Sequence, residues 1–229
     1  MADANPAAAR AQILARIRSN LGVRGDEPGR RGRAQSRLRN PQVNLIPERA
    51  LKSRAELLKQ FQLMLEKSEA KVFRLRSLNA LAEALAGALR DHNLPLRLRA
   101  GSDKIFDGLR GQAGLLEILS GRPDANDTAG LSRAVIGASE TGTLFLVSGQ
   151  ENPSTLNFLP EVHFAVILAD DIAGSYEEAW AKLRQIYGPG RMPRTVNLIS
   201  GPSRTADIEQ TLVTGAHGPR KLVVFLIGP

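Results

Sequence analysis

Three short segments of this sequence concentrate residue types that bind anions or move protons. The first is Gly137-Ala-Ser-Glu140-Thr141-Gly142-Thr143. Its glycines admit close backbone approach or positive φ, its hydroxyls and free N–H groups suit an anion, and Glu140 is an isolated carboxylate. The second is Ser200-Gly201-Pro-Ser203-Arg204-Thr205-Ala-Asp207-Ile-Glu209. The pattern predicts that it leaves a strand and enters a helix, which would aim unpaired N–H groups at an anion. Arg204 adds a fork able to grip a carboxylate or phosphate bidentately. The third is Thr214-Gly-Ala-His217-Gly-Pro219, in which His217 could serve as a general acid or base.

Each segment also has a plainer reading. The first is equally a hydrogen-bonded turn between two strands. In the second, Thr205 would cap the helix, Asp207 would complement its dipole and Arg204 would sit in a surface pair. In the third, Gly215 ends a helix and His217 is a loop residue. His163, at the start of an apolar run, reads as a core histidine.

Composition removes several chemistries. There is no cysteine among the 229 residues. That excludes a disulfide scaffold, a thiol nucleophile, and zinc or iron–sulfur centres held by cysteine. Three scattered histidines, at 92, 163 and 217, do not suggest a transition-metal site. No cofactor or metal is expected on this chain, although a carboxylate-bound Mg²⁺ stays open. The phosphate loop of P-loop proteins, the glycine fingerprint of dinucleotide folds and the nucleophile elbow of α/β-hydrolases are all missing.

The formal charge of +8 is uneven. Residues 1–40 hold nine arginines and three acids, so the remainder is close to neutral. Aromatics make up 4%, few for base stacking, and a charge run confined to a Gly/Pro-rich stretch weighs against a nucleic-acid partner. Neither long apolar run, near 162–169 and 222–228, approaches a membrane span, and the first 25 residues lack the apolar stretch of a secretory signal.

These segments must be positioned by the elements around them. Ile13, Leu14, Ile17 and Leu21 fall on one helical stripe, which predicts an amphipathic docking helix rather than a targeting peptide. Residues 22–47 read as a basic, flexible or surface-draped linker. Helices are predicted over 48–68, 78–89, 175–187 and 205–213. Strands are predicted near 71–75, 95–99, 115–119, 134–137, 144–148, 163–168, 195–199 and 221–227. Such alternation, with continuous apolar strands, predicts an open α/β fold: a largely parallel sheet covered by helices on both faces. The expected division is a helix and linker over 1–47 and one α/β domain over 48–229.

The same segments carry a likeness. Glu140-Thr-Gly-Thr143, Leu159-Pro-Glu-Val-His163, the run from Ser200 to Glu209 and His217-Gly-Pro219 together resemble the LUD domain of the lactate utilization protein C family. The opening Ala9–Arg18 is similar to that family's first helix. The resemblance implies a fold like that of ribose-5-phosphate isomerase, glucosamine-6-phosphate deaminase and CoA transferases (a NagB/RpiA/CoA transferase-like fold). It also implies a place in a bacterial, cytoplasmic system that oxidises L-lactate to pyruvate, with iron–sulfur subunits as partners. A chain without cysteine would be an accessory or substrate-side subunit there.

On that basis the expected ligand is a small anion at the carboxyl ends of strands. Ser200, Gly201, Ser203, Arg204 and Thr205 would grip it, with Thr141, Gly142 and Thr143 on the opposite wall. Glu140 would handle any proton transfer, and His217 is a further acid/base candidate. Two alternatives stay open: a stand-alone enzyme of this fold acting on a sugar phosphate or CoA ester, and a non-catalytic scaffold whose basic head docks an acidic partner.

Overall fold

A computed structural model describes residues 6–110, 114–208 and 211–228. The chain divides into two compact units, Met1–Asn44 and Leu45–Pro229.

The first unit holds helices α1 (Pro6–Asn20) and α2 (Pro28–Arg39), neither of which has a buried residue. Helix α2 occupies a stretch whose composition predicts a flexible linker. Its physical basis is local. Pro28 stands at the start of the helix, where its missing N–H costs nothing, and five of its twelve residues are arginine, a good helix former, against two glycines. Just upstream, the Glu27 carboxylate accepts hydrogen bonds from the N–H groups of Arg24 and Gly25. Those bonds hold its carboxyl below the usual range.

In the second unit, six parallel strands form the main sheet: β1 (Lys71–Leu75), β2 (Arg97–Ala100), β3 (Glu117–Ser120), β4 (Ala129–Arg133), β7 (Val162–Leu168) and β12 (Lys221–Ile227). Their spatial order is β1-β12-β7-β4-β2-β3. The central strands β7 and β12 pair over seven residues, from Val162 beside Lys221 to Leu168 beside Ile227. Side chains alternate between faces. Phe164, Val166 and Phe225 pack with Leu81, Leu85 and Leu89 of α4 (Leu81–Asp91) and with Phe106, just before the short helix α5 (Asp107–Arg110). Ala165, Ile167, Val224 and Leu226 face Leu58, Phe61 and Leu65 of α3 (Arg54–Lys67). The expected parallel sheet with helices on both faces is therefore what forms.

A second sheet lies on the α3 side, built from β5 (Ile136–Ala138), β6 (Thr143–Val147), β8 (Ile172–Ala173) and β9 (Val196–Ile199) in the order β8-β5-β6-β9. Leu144 and Leu146 of β6 join the core of the main sheet. Phe145 points the other way, into a cluster with Ala179 and Leu183 of α6 (Tyr176–Tyr187).

Two predicted helices change. The one expected over 48–68 is a single 3₁₀ turn, Glu48–Ala50, and then α3 from Arg54. A capping box sets that start: the Glu56 carboxylate accepts from both the N–H and the hydroxyl of Ser53. The helix expected over 205–213 is instead a hairpin, β10 (Arg204–Ile208) with β11 (Thr211–Thr214). The β-branched residues Thr205, Ile208, Thr211, Val213 and Thr214 favour extended backbone. Among the described residues, no helix is long and apolar enough to cross a membrane.

Candidate functional site

The Glu140 segment is the β5–β6 turn, and it serves as a joint. Ser139, fully buried, donates its hydroxyl to the carbonyl of Leu57 at 2.7 Å. The Glu140 backbone N–H donates to the carbonyl of Gly174 at 3.0 Å. Its carboxylate accepts the N–H of Tyr176, the first residue of α6, at 2.8 Å. Glu140 is 6% exposed, with Arg49 3.7 Å from its other oxygen. A carboxylate at a helix amino end satisfies a donor that has no partner within the helix and complements the dipole. Gly142 has φ +65°, and a Cβ there would come within 2.6 Å of the Leu65 nitrogen, so the turn lies flush on α3. Only glycine fits.

From this joint a chain of hydroxyls runs inward. Thr143 Oγ1, on a side chain with no exposure, lies 2.7 Å from the hydroxyls of Thr141, Tyr176 and Ser200. One hydroxyl has one hydrogen and two lone pairs, so Thr143 donates to one neighbour and accepts from the other two.

Ser200 opens onto a cavity of about 330 Å³ at the amino ends of β7 and β12. Two loops form one wall. The loop after β9 brings Ser200, Gly201 and Ser203; the loop before β12 brings His217, Gly218 and Pro219. They are stitched together, because the Ser203 N–H donates to the Pro219 carbonyl at 2.9 Å and the Gly215 N–H donates to the Ser203 carbonyl at 2.8 Å. His163, the second residue of β7, and Asn157, from the 3₁₀ turn Ser154–Asn157, form the floor.

The floor is a buried polar network. Ser132 of β4 donates its hydroxyl to Asn157 Oδ1 at 3.0 Å, and His163 Nε2 lies 2.5 Å from the same Ser132 oxygen. Since an amide oxygen only accepts, the serine hydrogen goes to Asn157, which assigns the proton on the histidine to Nε2. Burial pushes the His163 imidazole down to about 4, so at neutral pH the ring is uncharged. Asn157 is fully buried and lines the cavity, yet its Nδ2 group has no hydrogen-bond partner among the described residues. A buried donor left unpaired is costly, and a ligand oxygen in the cavity would relieve it.

Of the residues expected to bind a ligand or move a proton, the fold brings Ser200, Gly201, Ser203 and His217 to one cavity and leaves the others outside its lining; His163, read as a core histidine, is buried and lines the cavity as well. Thr141, Gly142 and Glu140 belong to the turn against α3 and α6, and Thr143 reaches the cavity only through Ser200. Arg204 turns to the end of α3, donating to Glu69 at 2.7 Å and to the carbonyl of Ser68 at 3.1 Å. The last carbonyls of a helix have no partners within it, which makes the carboxyl end of α3 a natural seat for a guanidinium. Thr205 stands opposite Val213 in the hairpin. The side chain of Asp207 and the whole of Glu209 lie outside the described residues.

The cavity lies at the amino ends of the main strands, where the sequence predicts a ligand at their carboxyl ends. Ser132 and Asn157 carry no motif. Ser132 sits in Ala-Gly-Leu-Ser-Arg, a central strand without a β-branched residue, and Asn157 in a loop. Among the described residues, no group of three or more His, Asp or Glu side chains is placed to hold a metal ion.

Comparison with known proteins bears on this geometry. Residues 124–227 match the LUD domain family. Lactate utilization protein C of Shouchella clausii is 36% identical over 98 residues, 43% of each chain. That of Bacillus subtilis is 33% identical over 99 residues, 43% of this chain and 41% of its own. An uncharacterized protein of Neisseria meningitidis reaches 44% over 104 residues, 45% of this chain and 44% of its own. These matches span less than half the length of the curated relatives. A crystal structure of a DUF162 family protein from Deinococcus radiodurans superposes with a TM-score of 0.55 at 23% identity, covering 77% of this chain and 99% of that one. That likeness shows the fold. The resemblance to the LUD domain family, read from the motifs, is thereby established over residues 124–227, the stretch that holds every residue of the cavity.

Proposed function

We propose that this chain works in lactate utilization as an accessory or substrate-side subunit, and that its cavity binds a small organic acid of the lactate or pyruvate type. The observation that carries the binding site is Asn157: a fully buried amide donor, unpartnered, in the floor of a cavity next to a neutral histidine. The cavity offers hydroxyls from Ser200 and Ser203, the Asn157 amide and, in its exposed wall, His217. The hydroxyl and amide donors suit a ligand whose oxygens accept several hydrogen bonds. The names of the relatives support the choice of lactate utilization.

A chain with no cysteine cannot hold an iron–sulfur cluster through thiolates. In this reading the electrons of lactate oxidation pass to iron–sulfur partner subunits, and the present chain binds and orients the acid. Calorimetric titration of the purified chain with L-lactate and with pyruvate tests the site. Binding of either acid, reduced at least tenfold by Asn157→Leu, is the expected result. No binding of either acid at millimolar concentration overturns it. Co-purification from the native cell tests the partner: iron–sulfur proteins in the eluate are expected, and their absence would refute the subunit role.

A further inference from the structure

The carboxyl ends of the main sheet hold a second and larger space, a groove of about 860 Å³ that shares no lining residue with the first cavity. Its floor follows the ends of β2, β3 and β6, and its far side is the 3₁₀ turn Ser154–Asn157 together with the approach to β9. In parallel α/β sheets this is the end at which ligands are bound.

The chemistry of the groove differs from that of the cavity. Arg122 and Arg194 stand on it, both exposed and neither with an ion pair or side-chain hydrogen bond among the described residues. No acidic side chain is among the groove's lining. Elsewhere in this unit Arg99, Arg110, Arg133 and Arg204 are tied to carboxylates. The remaining wall is rich in hydroxyls. Ser148 Oγ accepts the N–H of Thr195 at 2.9 Å, so its own hydrogen is free to donate outward. Thr155 Oγ1 is shielded from solvent and unpartnered. At the end of β3, Gly121 adopts φ +102° while its N–H donates to the Ala100 carbonyl at 2.9 Å, a tight turn that places Ser120 and Arg122 side by side on the rim.

We infer that this groove is a binding site for a phosphate-bearing ligand. Two unpaired guanidiniums suit a dianion, each able to engage two of its oxygens, and the Ser/Thr hydroxyls supply the remaining donors. A carboxylate has only two oxygens and would leave most of these donors unused. The groove with its two arginines and the cavity with its buried His163–Ser132–Asn157 floor thus select different ligands. This inference does not depend on the assignment of the first cavity.

The test titrates inorganic phosphate, pyrophosphate and ADP into the full chain by calorimetry, beside an Arg122→Ala/Arg194→Ala double variant. Both side chains are exposed and unpaired, so the variant keeps its fold; an unchanged thermal melt verifies this. One-to-one binding of at least one probe, weakened tenfold or more in the double variant, is expected. The order of affinities then separates free phosphate from a phosphate ester. Absence of binding by all three probes overturns the inference. So does binding that is undiminished in the double variant, which would assign the anion to the arginine-rich first 40 residues.

Discussion

The two concave sites of this unit sit at opposite ends of the same sheet and solve recognition differently. At the amino ends of β7 and β12, His163, Ser132 and Asn157 are buried to within 1% exposure, and these three groups are neutral. At the carboxyl ends of β2 and β3, the two arginines of the groove are exposed, and both are cations. Burial explains the contrast. A charge on the buried floor of the cavity would have to be desolvated, so neutral groups stand there. Water keeps the arginines of the groove charged at little cost, and their pull on a ligand is correspondingly screened. Stability should therefore be sensitive to substitution in the cavity floor and nearly indifferent to substitution in the groove.

The largest effect should come from Ser132→Ala. It strips the partner from both the His163 Nε2–H and Asn157 Oδ1 in a region closed to water. Leaving two buried groups unpaired costs on the order of 4 kcal/mol. Urea denaturation should show this as a lower midpoint at constant slope. A shift as small as that of a surface mutant would mean that water reaches the floor, and the contrast between the two sites would collapse.

Acid should probe the same floor. The His163 imidazole sits at about 4 in the folded chain against an ordinary value of 6.5. The unfolded state therefore binds more protons between those values. The contribution of His163 is fully present above pH 6.5 and is lost as pH falls toward 4. A shift of this size corresponds to about 3 kcal/mol. The difference in stability between the native chain and His163→Asn should shrink by that order from pH 7 to pH 4, measured by urea midpoints. A constant difference would show that the ring already titrates normally.

The framework around these sites was largely legible in the sequence, and for a definite reason. β7 and β12 are continuous apolar runs because both faces are covered, and α4 has its leucines at helical spacing. Failures occur where tertiary context overrides composition. β4 reads Ala-Gly-Leu-Ser-Arg, poor in strand formers, yet it pairs with both β2 and β7 in the sheet centre. Ser132 was hidden with it. Glu140 and Arg204 drew attention as isolated charges in motif-like strings. Charge alone does not distinguish a ligand-binding group from one that completes a helix end, and these two residues complete the ends of α6 and α3. Ser200, Gly201, Ser203 and His217 were legible because loop residues that converge on a cavity are clustered in sequence as well as in space.

Glu140 is a buried charge outside both sites, and it sharpens the comparison between them. Glu140→Ala removes the acceptor of the Tyr176 N–H and should cost about 1.5 kcal/mol, the range of a lost helix-terminal partner. Glu140→Gln keeps an acceptor and should cost less than half as much in the same denaturation experiment. Equal losses in the two variants would mean that the charge, rather than the hydrogen bond, secures α6.

The smallest effect is expected at Arg204, where the sequence and the structure part most clearly. Its guanidinium holds Glu69 and the Ser68 carbonyl on a partly exposed surface, with Glu69 62% exposed in its side chain. Exposed pairs of this kind contribute about 0.5 kcal/mol. Arg204→Ala should therefore move the urea midpoint only slightly. The affinity of the cavity for an organic acid should change by less than about threefold, because an exposed charge outside the lining acts through screened water. A tenfold loss would require the guanidinium to leave Glu69 and swing to the ligand, giving the cavity a cation of its own. The difference between the two ends of the sheet would then lie in the mobility of their arginines rather than in burial.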